Sequence, residues 1–335
     1  MVRLEKPTLE LPAARPGDVR IGDIIGSGLG EDDSPAAVVL GFPCDEGVAL
    51  NAGRVGAADA PDLIRAALHR FTARPDAGES FVHLIERIRD LGNVVPARTV
   101  EESQVLLAEA LAPWLNRGVP AIVLGGGHET AFGHFLGYVR SGLAVEIVNW
   151  DAHPDVRETH DGKAHSGSSF RLALTHPSGL CRGYTVAGLL RHVTVEAHLR
   201  FLRDMKGIFY WGEDLSVGLM EKVFAGLSTR CLATFDMDAV DQAFAPGVSA
   251  PATGGMVPAL WLNAARLAGR CPYVSSMEIV EVNPIYDRDE QTVRLAGLTL
   301  WHFLDGLAKR PPAGDKGGDL THPERGSGAG GERGS

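Results

Sequence analysis

Short, uninterrupted apolar segments alternate with amphipathic segments along most of the chain, and this alternation restricts the fold more than any other feature. The apolar segments are residues 36–43, 121–127, 144–150, 207–213, 231–238 and 273–282. The segments with helical spacing of apolar residues are 59–72, 101–117, 129–140, 195–206, 257–269 and 291–309. Strands that are apolar on both faces and alternate with helices are typical of a parallel sheet covered on both sides. The sequence therefore predicts an α/β protein with three layers, α/β/α, around a mostly parallel central sheet.

The alternating pattern occupies one continuous region of the chain, and two segments of different composition flank it. Residues 1–35 form a polar lead-in with several turn-forming residues. The pattern runs through residues 36–310, and at 335 residues in total the chain is long enough to bury a large core. Residues 311–335 are rich in Gly and Pro and lack apolar periodicity, so this tail is predicted to be disordered.

The charge balance excludes some classes of function. The chain has 32 Lys and Arg against 42 Asp and Glu, a net charge of −10, which argues against a sequence-independent nucleic-acid binder. No segment approaches the roughly 18 consecutive apolar residues of a membrane span, and the N-terminus lacks the apolar core of a signal peptide. The four cysteines are widely spaced, which argues against a disulfide scaffold. A cytoplasmic protein with a small-molecule partner is the expectation.

Three of the apolar segments end in acidic residues and histidines. These residues are His128 after the segment 121–127, Asp151, His153 and Asp155 after 144–150, and Asp236 and Asp238 at the end of 231–238. In an open α/β sheet, ligands bind outside the carboxyl ends of the strands, so the three groups are expected to converge on one crevice. If these segments are extended, residues two apart point to the same side, which would align each group toward that crevice.

Four carboxylates this close together require positive charge. They would repel one another strongly in a partly buried crevice, and two divalent cations would cancel their charge of −4. A site with more carboxylate than imidazole and no thiolate suits manganese, although the order of affinities alone would favour zinc. Two ions that share carboxylates would lower the pKa of a water molecule between them, as in a hydrolase. The alternative is that each residue only caps a turn, but six such residues at strand ends make that interpretation weak.

These motifs resemble those of the ureohydrolase family, which includes arginase, agmatinase and formimidoylglutamase. The segments GGGHE (125–129), DAHPD (151–155) and FDMDAVD (235–241) correspond to the metal-binding motifs of that family. SMEIVEVNP (276–284) matches a further signature, and residues 41–65 resemble the N-terminal part of the family. The resemblance extends from about residue 36 to residue 305 and implies an arginase-like fold.

The resemblance also implies a role for each residue of the motifs. One manganese ion would be held by His128, Asp151, Asp155 and Asp236, and the other by Asp151, His153, Asp236 and Asp238. Asp155 would in addition orient the nucleophilic hydroxide. Glu281 occupies the position of the carboxylate that faces the cationic group of the substrate. The cofactors implied are two Mn²⁺ per chain, and the family suggests a homo-oligomer.

Two departures from arginase concern the substrate-binding loop. Arg157 follows the DAHPD motif, and its charge would repel cationic agmatine but grip a carboxylate. The later segment HSGSSF (165–170) is similar to formimidoylglutamases. Arginases have a His-Gly pair there, whereas Ser166 holds that place in this chain and His165 lies one position earlier. Ser166 is expected to contact substrate, and the donor of the proton to the leaving amine stays open between His165 and a metal-bound group or water.

The function implied by this resemblance is hydrolysis of the formimidoyl C–N bond of N-formimidoyl-L-glutamate, giving L-glutamate and formamide, a step of histidine degradation. The net negative charge of this amino-acid substrate is complementary to the charge of Arg157, whereas arginine as a substrate carries a net positive charge. An agmatinase or guanidino-acid ureohydrolase that releases urea is the alternative if Arg157 points away from the cavity. A metal-binding scaffold without turnover is a further alternative from another class.

Overall fold

A computed structural model describes residues 2–9, 17–73 and 78–311 of the chain. Within these ranges, nine strands form one sheet. They are β1 Leu4–Glu5, β2 Ala37–Phe42, β3 Ile88–Val94, β4 Ala121–Gly125, β5 Val145–Trp150, β6 Cys181–Leu189, β7 Ile208–Trp211, β8 Cys231–Asp236 and β9 Val274–Val280. The order across the sheet is β1-β3-β2-β4-β9-β8-β5-β6-β7, and every neighbouring pair is parallel except β1 with β3.

Helices cover both faces of this sheet. They are α1 Ile21–Ile24, α2 Glu46–Leu50, α3 Ala60–His69, α4 Glu79–Glu86, α5 Val100–Asn116, α6 Thr130–Arg140, α7 Ser169–Leu174, α8 Glu196–Asp204, α9 Val217–Ala225, α10 Pro258–Arg270 and α11 Gln291–Ala308. The core on one face is built with α1, α3, α4, α9, α10 and α11, and the core on the other with α5, α6, α7 and α8. The predicted three-layer α/β/α fold with a mostly parallel sheet is confirmed.

Strand β2 shows why the central strands are apolar throughout. All six of its residues are buried. Ala37 and Val39 pack into the core beneath α3 and α11, whereas Val38 and Leu40 pack into the core beneath α5 and α6. Because helices cover both faces, the two-residue repeat of the strand places every side chain in a core, and no polar alternation is left in the sequence.

The six predicted strands and six predicted helices are all present, with ends that differ by a few residues. The structure adds β1, β3 and β6, which lie at or toward the edges of the sheet. Strand β3 contains Arg89, Asp90 and Asn93 in positions that are only partly buried or exposed, and these residues interrupt the apolar pattern. Short helices such as α2 and α7 hold too few turns for periodicity to reveal them.

Two parts of the predicted lead-in, residues 1–35, pack on the domain: β1 pairs with β3, and Ile21 of α1 is fully buried in the core. The predicted disordered tail lies outside the described residues, apart from Pro311. Among the helices of the described ranges, none combines the length and apolarity needed to cross a lipid bilayer.

The four central strands β4, β9, β8 and β5 lie side by side and run in the same direction. Their carboxyl ends therefore meet at one edge of the sheet. His128 follows β4 by three residues, Glu281 follows β9, Asp236 ends β8 and Asp151 follows β5. The fold thus gathers side chains from four separate parts of the sequence at a single place.

A buried arginine joins the outer part of the sheet to α3, and its removal is a direct test of this packing. The Arg65 side chain is only 2% exposed and forms an ion pair with Asp90 (Nε–Oδ2 2.8 Å). It also donates hydrogen bonds to Asn93 Oδ1 (2.7 Å) and to the backbone oxygen of Gly92 (3.0 Å). We expect Arg65→Ala to lower the free energy of unfolding by about 3 kcal/mol, measured by urea denaturation.

The matched control for this substitution is Arg203→Ala. Arg203 pairs with Glu196 at 2.7 Å, but its side chain is 53% exposed, so its loss should cost less than about 1 kcal/mol. Equal stability of the two variants would contradict the role assigned to Arg65.

Candidate metal centre

Two groups of side chains at the carboxyl edge of the sheet could each hold a metal ion. The first group is His128, Asp151, Asp155 and Asp236, and the second is Asp151, His153 and Asp238. Within each group, one potential ligand atom per residue lies within 4.8 Å of the others. Asp151 belongs to both groups. The structure therefore brings together all six residues that the sequence singled out at the strand ends.

Local turns, rather than extended backbone, align these side chains. The chain bends after Asp151, and its Oδ1 accepts a hydrogen bond from the backbone N–H of His153 (2.6 Å). Asp236 does the same at the end of β8, accepting from the N–H of Asp238 (2.8 Å) as a single turn of 3₁₀ helix begins. Asp155 takes a positive φ of 45°. The expectation that these segments stay extended is wrong, because side chain-to-backbone bonds of the aspartates form the turns.

His128 is held with one ring nitrogen aimed at three carboxylates. Its Nδ1 lies 2.9 Å from Asp236 Oδ2, 3.1 Å from Asp155 Oδ2 and 3.4 Å from Asp151 Oδ2. This nitrogen nevertheless makes no hydrogen bond of acceptable geometry within the described residues. The other ring nitrogen, Nε2, lies 2.9 Å from Thr234 Oγ1. A proton on Nε2 that is donated to Thr234 would leave the lone pair of Nδ1 for a cation.

The second group has similar support. His153 Nδ1 lies 3.1 Å from Asp238 Oδ2 and 3.5 Å from Asp151 Oδ1. Asp151 Oδ2 accepts a hydrogen bond from Asn149 Nδ2 at 2.9 Å, which fixes the orientation of the carboxylate. Asp238 Oδ1 is buried and has no hydrogen-bond partner among the described residues.

The electrostatics of the cluster show an excess of buried negative charge. Burial, and then the carboxylates of Asp238 and Asp151, raise the pKa of Asp236 well above its usual range. Burial also raises the pKa of Asp238 to about 6, against the opposing effect of His153. Burial raises the pKa of Asp151 as well, but His128 and His153 more than offset it and hold that pKa below its usual range. Carboxylates that would otherwise take up protons are suited to bind cations instead.

The donor set fits divalent ions that prefer oxygen and imidazole. It contains four carboxylates, two imidazoles and no thiolate. The unpartnered atoms, Nδ1 of His128 and Oδ1 of Asp238, are lone-pair donors in a buried position. The excess of carboxylate over imidazole and the lack of thiolate suit manganese better than a structural zinc or copper site, and the unpartnered atoms leave lone pairs for a cation.

Glu281 lies at the centre of the same edge. Its backbone adopts a positive φ of 64°, its Oε1 accepts a hydrogen bond from the N–H of His128 (2.8 Å), and it is 4% exposed. Burial, followed by the negative charges of Glu129 and Asp238, raises the pKa of Glu281 to about 8. Glu129 is itself fully buried, and burial raises its pKa to about 7. A cationic group placed against Glu281 would restore its ionised form.

A narrow cavity of about 70 Å³ opens over these groups. Its lining consists of Asn51, His153, Asp155, Arg157, Ser166, Asp236, Asp238, Ser249, Ala250 and Glu281. Arg157 therefore lines the cavity, and its Nη1 donates to Asn51 Oδ1 at 3.3 Å. Asn51 Nδ2 donates in turn to Ser166 Oγ at 3.1 Å. The two predicted substrate-binding residues share one asparagine between them.

His165 is placed differently. It is 4% exposed and is not among the residues that line the cavity. Its Nε2 lies 2.8 Å from the backbone oxygen of Glu158, which can only accept, so this nitrogen carries a proton and donates it. The backbone N–H of His165 donates to Ser168 Oγ (3.0 Å). The geometry thus ties His165 into the loop and leaves Ser166, the next residue, facing the cavity.

Sequence reasoning missed Asn51, Ser249 and the residues that support the metal ligands. Thr234 and Asn149 each lie two positions before a candidate ligand, at or near the end of a strand, so the two-residue repeat of a strand could have identified them. Ser249 lies in the loop after the motif 235–241, and Asn51 lies within the segment 41–65. Neither position has a residue pattern that identifies it as part of the cavity.

Comparisons with known proteins agree with this site and fold. A model of the Arginase family matches residues 35–305. The chain is 38% identical to the formimidoylglutamase of Geobacillus thermodenitrificans over 283 residues, 80% of this chain and 84% of that protein. It is 32% identical to the formimidoylglutamase of Staphylococcus aureus over 288 residues, 83% of this chain and 89% of that protein. A crystal structure of Trypanosoma cruzi formiminoglutamase with Mn²⁺ matches with a TM-score of 0.80 at 29% identity, covering 88% of this chain and 100% of that one.

The raised pKa values predict an unusual dependence of stability on pH when no cation is bound. Groups with raised pKa values, such as Asp238 and Glu281, take up protons on folding. The free energy of unfolding in a chelator should therefore fall as the pH rises from about 4, where these carboxyl groups titrate in the unfolded chain, to about 8. Mn²⁺ should stabilise the chain most at the upper end of this range, because there it replaces the missing protons.

This expectation is measured by thermal unfolding in EDTA and in MnCl₂ across that pH range. Asp236→Asn serves as the control, since the amide keeps the shape but not the charge, and its stabilisation by Mn²⁺ should nearly vanish. A metal-free chain that grows more stable toward about pH 8 would contradict the charge assignment.

Proposed function

The chain belongs to the arginase family, and on that premise we propose that it hydrolyses N-formimidoyl-L-glutamate to L-glutamate and formamide, a step of histidine degradation. Its relatives from Geobacillus thermodenitrificans and Staphylococcus aureus carry the name of this activity. The observation in the structure that carries the proposal is the position of Arg157, which lines the cavity with the candidate metal ligands and forms no ion pair within the described residues. This arginine matches a substrate that ends in carboxylates.

We propose that two Mn²⁺ ions bind per chain. His128, Asp155 and Asp151 with Asp236 would hold one ion, and His153 and Asp238 with Asp151 and Asp236 the other. Such ions supply Lewis acidity and lower the pKa of a water molecule, so that it can attack as a nucleophile near neutral pH. The formiminoglutamase of Trypanosoma cruzi, which this chain resembles, was crystallised with Mn²⁺.

Glu281 and Asp155 are the acids that act on the reacting groups. Both line the cavity beside the candidate ligands. Glu281 accepts hydrogen bonds from the cationic formimidoyl nitrogen and so holds the carbon in place for attack. Asp155 accepts a proton from the attacking water and orients its lone pair.

Arg157 selects the substrate by charge. N-formimidoyl-L-glutamate carries two carboxylates and one cationic group, a net charge of −1, whereas arginine carries +1 and agmatine lacks a carboxylate. An arginine grips a carboxylate through paired hydrogen bonds and repels an ammonium group. In the described residues no carboxylate pairs with Arg157, so its charge is available to the substrate.

The leaving amine needs a proton, and the geometry argues against His165 as its donor, because that ring donates to Glu158 and lies outside the cavity lining. Asp155 is the donor that the cavity offers: it returns to the amine the proton that it took from water. The C–N bond then breaks, and the electron pair of that bond leaves with the nitrogen of glutamate. Water has been added across the bond, and no further reactant is required.

A guanidino substrate was the alternative if Arg157 pointed away from the cavity. Arg157 lines the cavity, so this alternative loses support. Two further expectations stay predictions: that the chain forms homo-oligomers, and that it acts in the cytoplasm.

The substrate assignment is tested by kinetics on four compounds with Mn²⁺ present: N-formimidoyl-L-glutamate, arginine, agmatine and guanidinobutyrate. We expect formamide release from the first to have the highest kcat/KM. Arg157→Ala should lower this value by about 10-fold to 100-fold, as for the loss of a hydrogen bond to a charged group, while Arg157→Lys should lower it less. Urea release from any guanidine at a higher kcat/KM would overturn the assignment.

The metal assignment is tested by elemental analysis after manganese loading and dialysis. The wild type should hold about two ions per chain. His128→Ala and His153→Ala should each lose about one, because each histidine belongs to only one of the two groups. Asp151→Asn should affect both ions, because Asp151 belongs to both groups. Metal-loaded protein with no turnover on any of the four compounds would instead favour a scaffold.

A further inference from the structure

The part of the cavity lining that remains besides Glu281 and the candidate metal ligands contains hydrogen-bond donors and no acid. This part consists of Asn51, Arg157, Ser166, Ser249 and Ala250. One carboxylate could be held by Arg157 alone. A substrate with two carboxylates at this end needs further hydrogen-bond donors. A buried carboxylate loses its hydrogen bonds to water, and protein donors must replace them. The two serines are the candidates.

Both serine hydroxyls have a proton that no group in the described residues accepts. Ser166 Oγ accepts a hydrogen bond from Asn51 Nδ2 (3.1 Å), and Ser249 Oγ accepts one from the backbone N–H of Arg54 (2.9 Å). Neither hydroxyl donates to another described residue. A hydroxyl that accepts one bond still has its own O–H to give. Since both serines line the cavity, each is prepared to donate to a ligand there.

Arg54 fixes the position of Ser249 through several contacts. Beyond its backbone N–H, its Nε donates to the backbone oxygen of Ser249 (3.0 Å), and its Nη2 donates to the backbone oxygen of Val248. The guanidinium lies 4.2 Å from the centre of the Tyr286 ring. Gly53 permits this approach, because a Cβ there would lie 2.6 Å from Ser249 Oγ. Asn283, two residues after Glu281, donates to the backbone oxygen of Arg54 (2.8 Å).

The two arginines also match the charge of the substrate. Arg54 holds the wall that contains Ser249, and Arg157 belongs to the wall that contains Ser166. The ion pairs found in the described residues include neither of them. Arg157 therefore brings a positive charge to the cavity lining, and Arg54 adds a second positive charge beside the loop of Ser249.

We propose that Ser249 is a substrate-binding residue that donates its hydroxyl proton to a carboxylate of the substrate, and that Arg54 is the positioning residue that holds it in place. This inference rests on the proposed function, because it takes the dicarboxylate as the ligand. Asn51 and Ser166 form a corresponding pair in the same cavity lining. Recognition of the two carboxylates is thus shared between two serines, each held by a hydrogen bond from a different residue.

The test compares the Mn²⁺-loaded wild type with Ser249→Ala, Ser249→Thr and Arg54→Lys on two compounds. One is N-formimidoyl-L-glutamate, and the other is N-butylformamidine, which has the reacting group but no carboxylate. Ser249→Ala should raise KM for the first compound by about 10-fold with little change in kcat, and leave kcat/KM for the second unchanged. Ser249→Thr keeps the hydroxyl, so its KM for the first compound should rise less than that of Ser249→Ala.

Arg54→Lys keeps the charge but loses the forked contact with the backbone of residues 248 and 249. Its KM for the dicarboxylate should rise in the same way, and the double variant with Ser249→Ala should be no worse than Ser249→Ala alone. Inhibition by the product L-glutamate gives a second readout, since its inhibition constant should rise in both single variants. Ser27→Ala, an exposed serine in the loop after α1, is the control and should change nothing.

Several outcomes would overturn the inference. An equal loss of kcat/KM on both compounds for Ser249→Ala would show a general structural role. Effects of Arg54→Lys and Ser249→Ala that multiply in the double variant would show that the two residues act separately. If the wild type hydrolyses N-formimidoyl-L-glutamate but the KM of Ser249→Ala is unchanged, the role of Ser249 is wrong. If the wild type does not hydrolyse this compound at all, the proposed function itself is wrong.

Discussion

The mutual repulsion of buried carboxylates is the constraint on which the rest of this molecule depends. Asp151, Asp155, Asp236 and Asp238 lie within a few ångströms of one another at one edge of the sheet, and two of them have pKa values raised chiefly by burial. Such a cluster destabilises the folded chain unless cations or protons neutralise it. The hydrogen bonds that these aspartates accept from the backbone do not remove this repulsion. The excess negative charge is the reason for the proposal that divalent ions complete the site.

The parallel sheet makes this cluster possible. Four central strands end side by side, so residues from distant parts of the sequence meet without a long loop between them. Both faces of these strands are packed against helices, which leaves the strand ends as the place where polar groups can emerge. The turns after β5 and β8 then use the aspartates themselves as hydrogen-bond acceptors, so the candidate ligands also shape the backbone that presents them.

The sequence was sufficient to predict the fold class, the six convergent residues and the family, because each has a local signal. Apolar strands, strand-end acids and short motifs can all be read within a few residues. The cavity wall could not be predicted in this way. Ser249 faces the cavity because Arg54, nearly two hundred residues earlier, binds its loop, and Asn51 meets Ser166 from a separate segment. His165 has a pattern like that of a catalytic histidine, but its ring nitrogen bonds to a backbone oxygen of the same loop.

Asp155 and Glu281, the two acids closest to the proposed chemistry, both have left-handed backbone conformations, with φ of 45° and 64°. A residue with a side chain adopts this conformation at a cost of about 1 kcal/mol, whereas glycine adopts it freely. Replacement of either acid by glycine would relax the backbone and also remove a carboxylate from the crowded edge. A chain changed in this way would lose the two acids to which we assign the reaction. The proposed activity and the conformational preference of the main chain are therefore opposed at both positions.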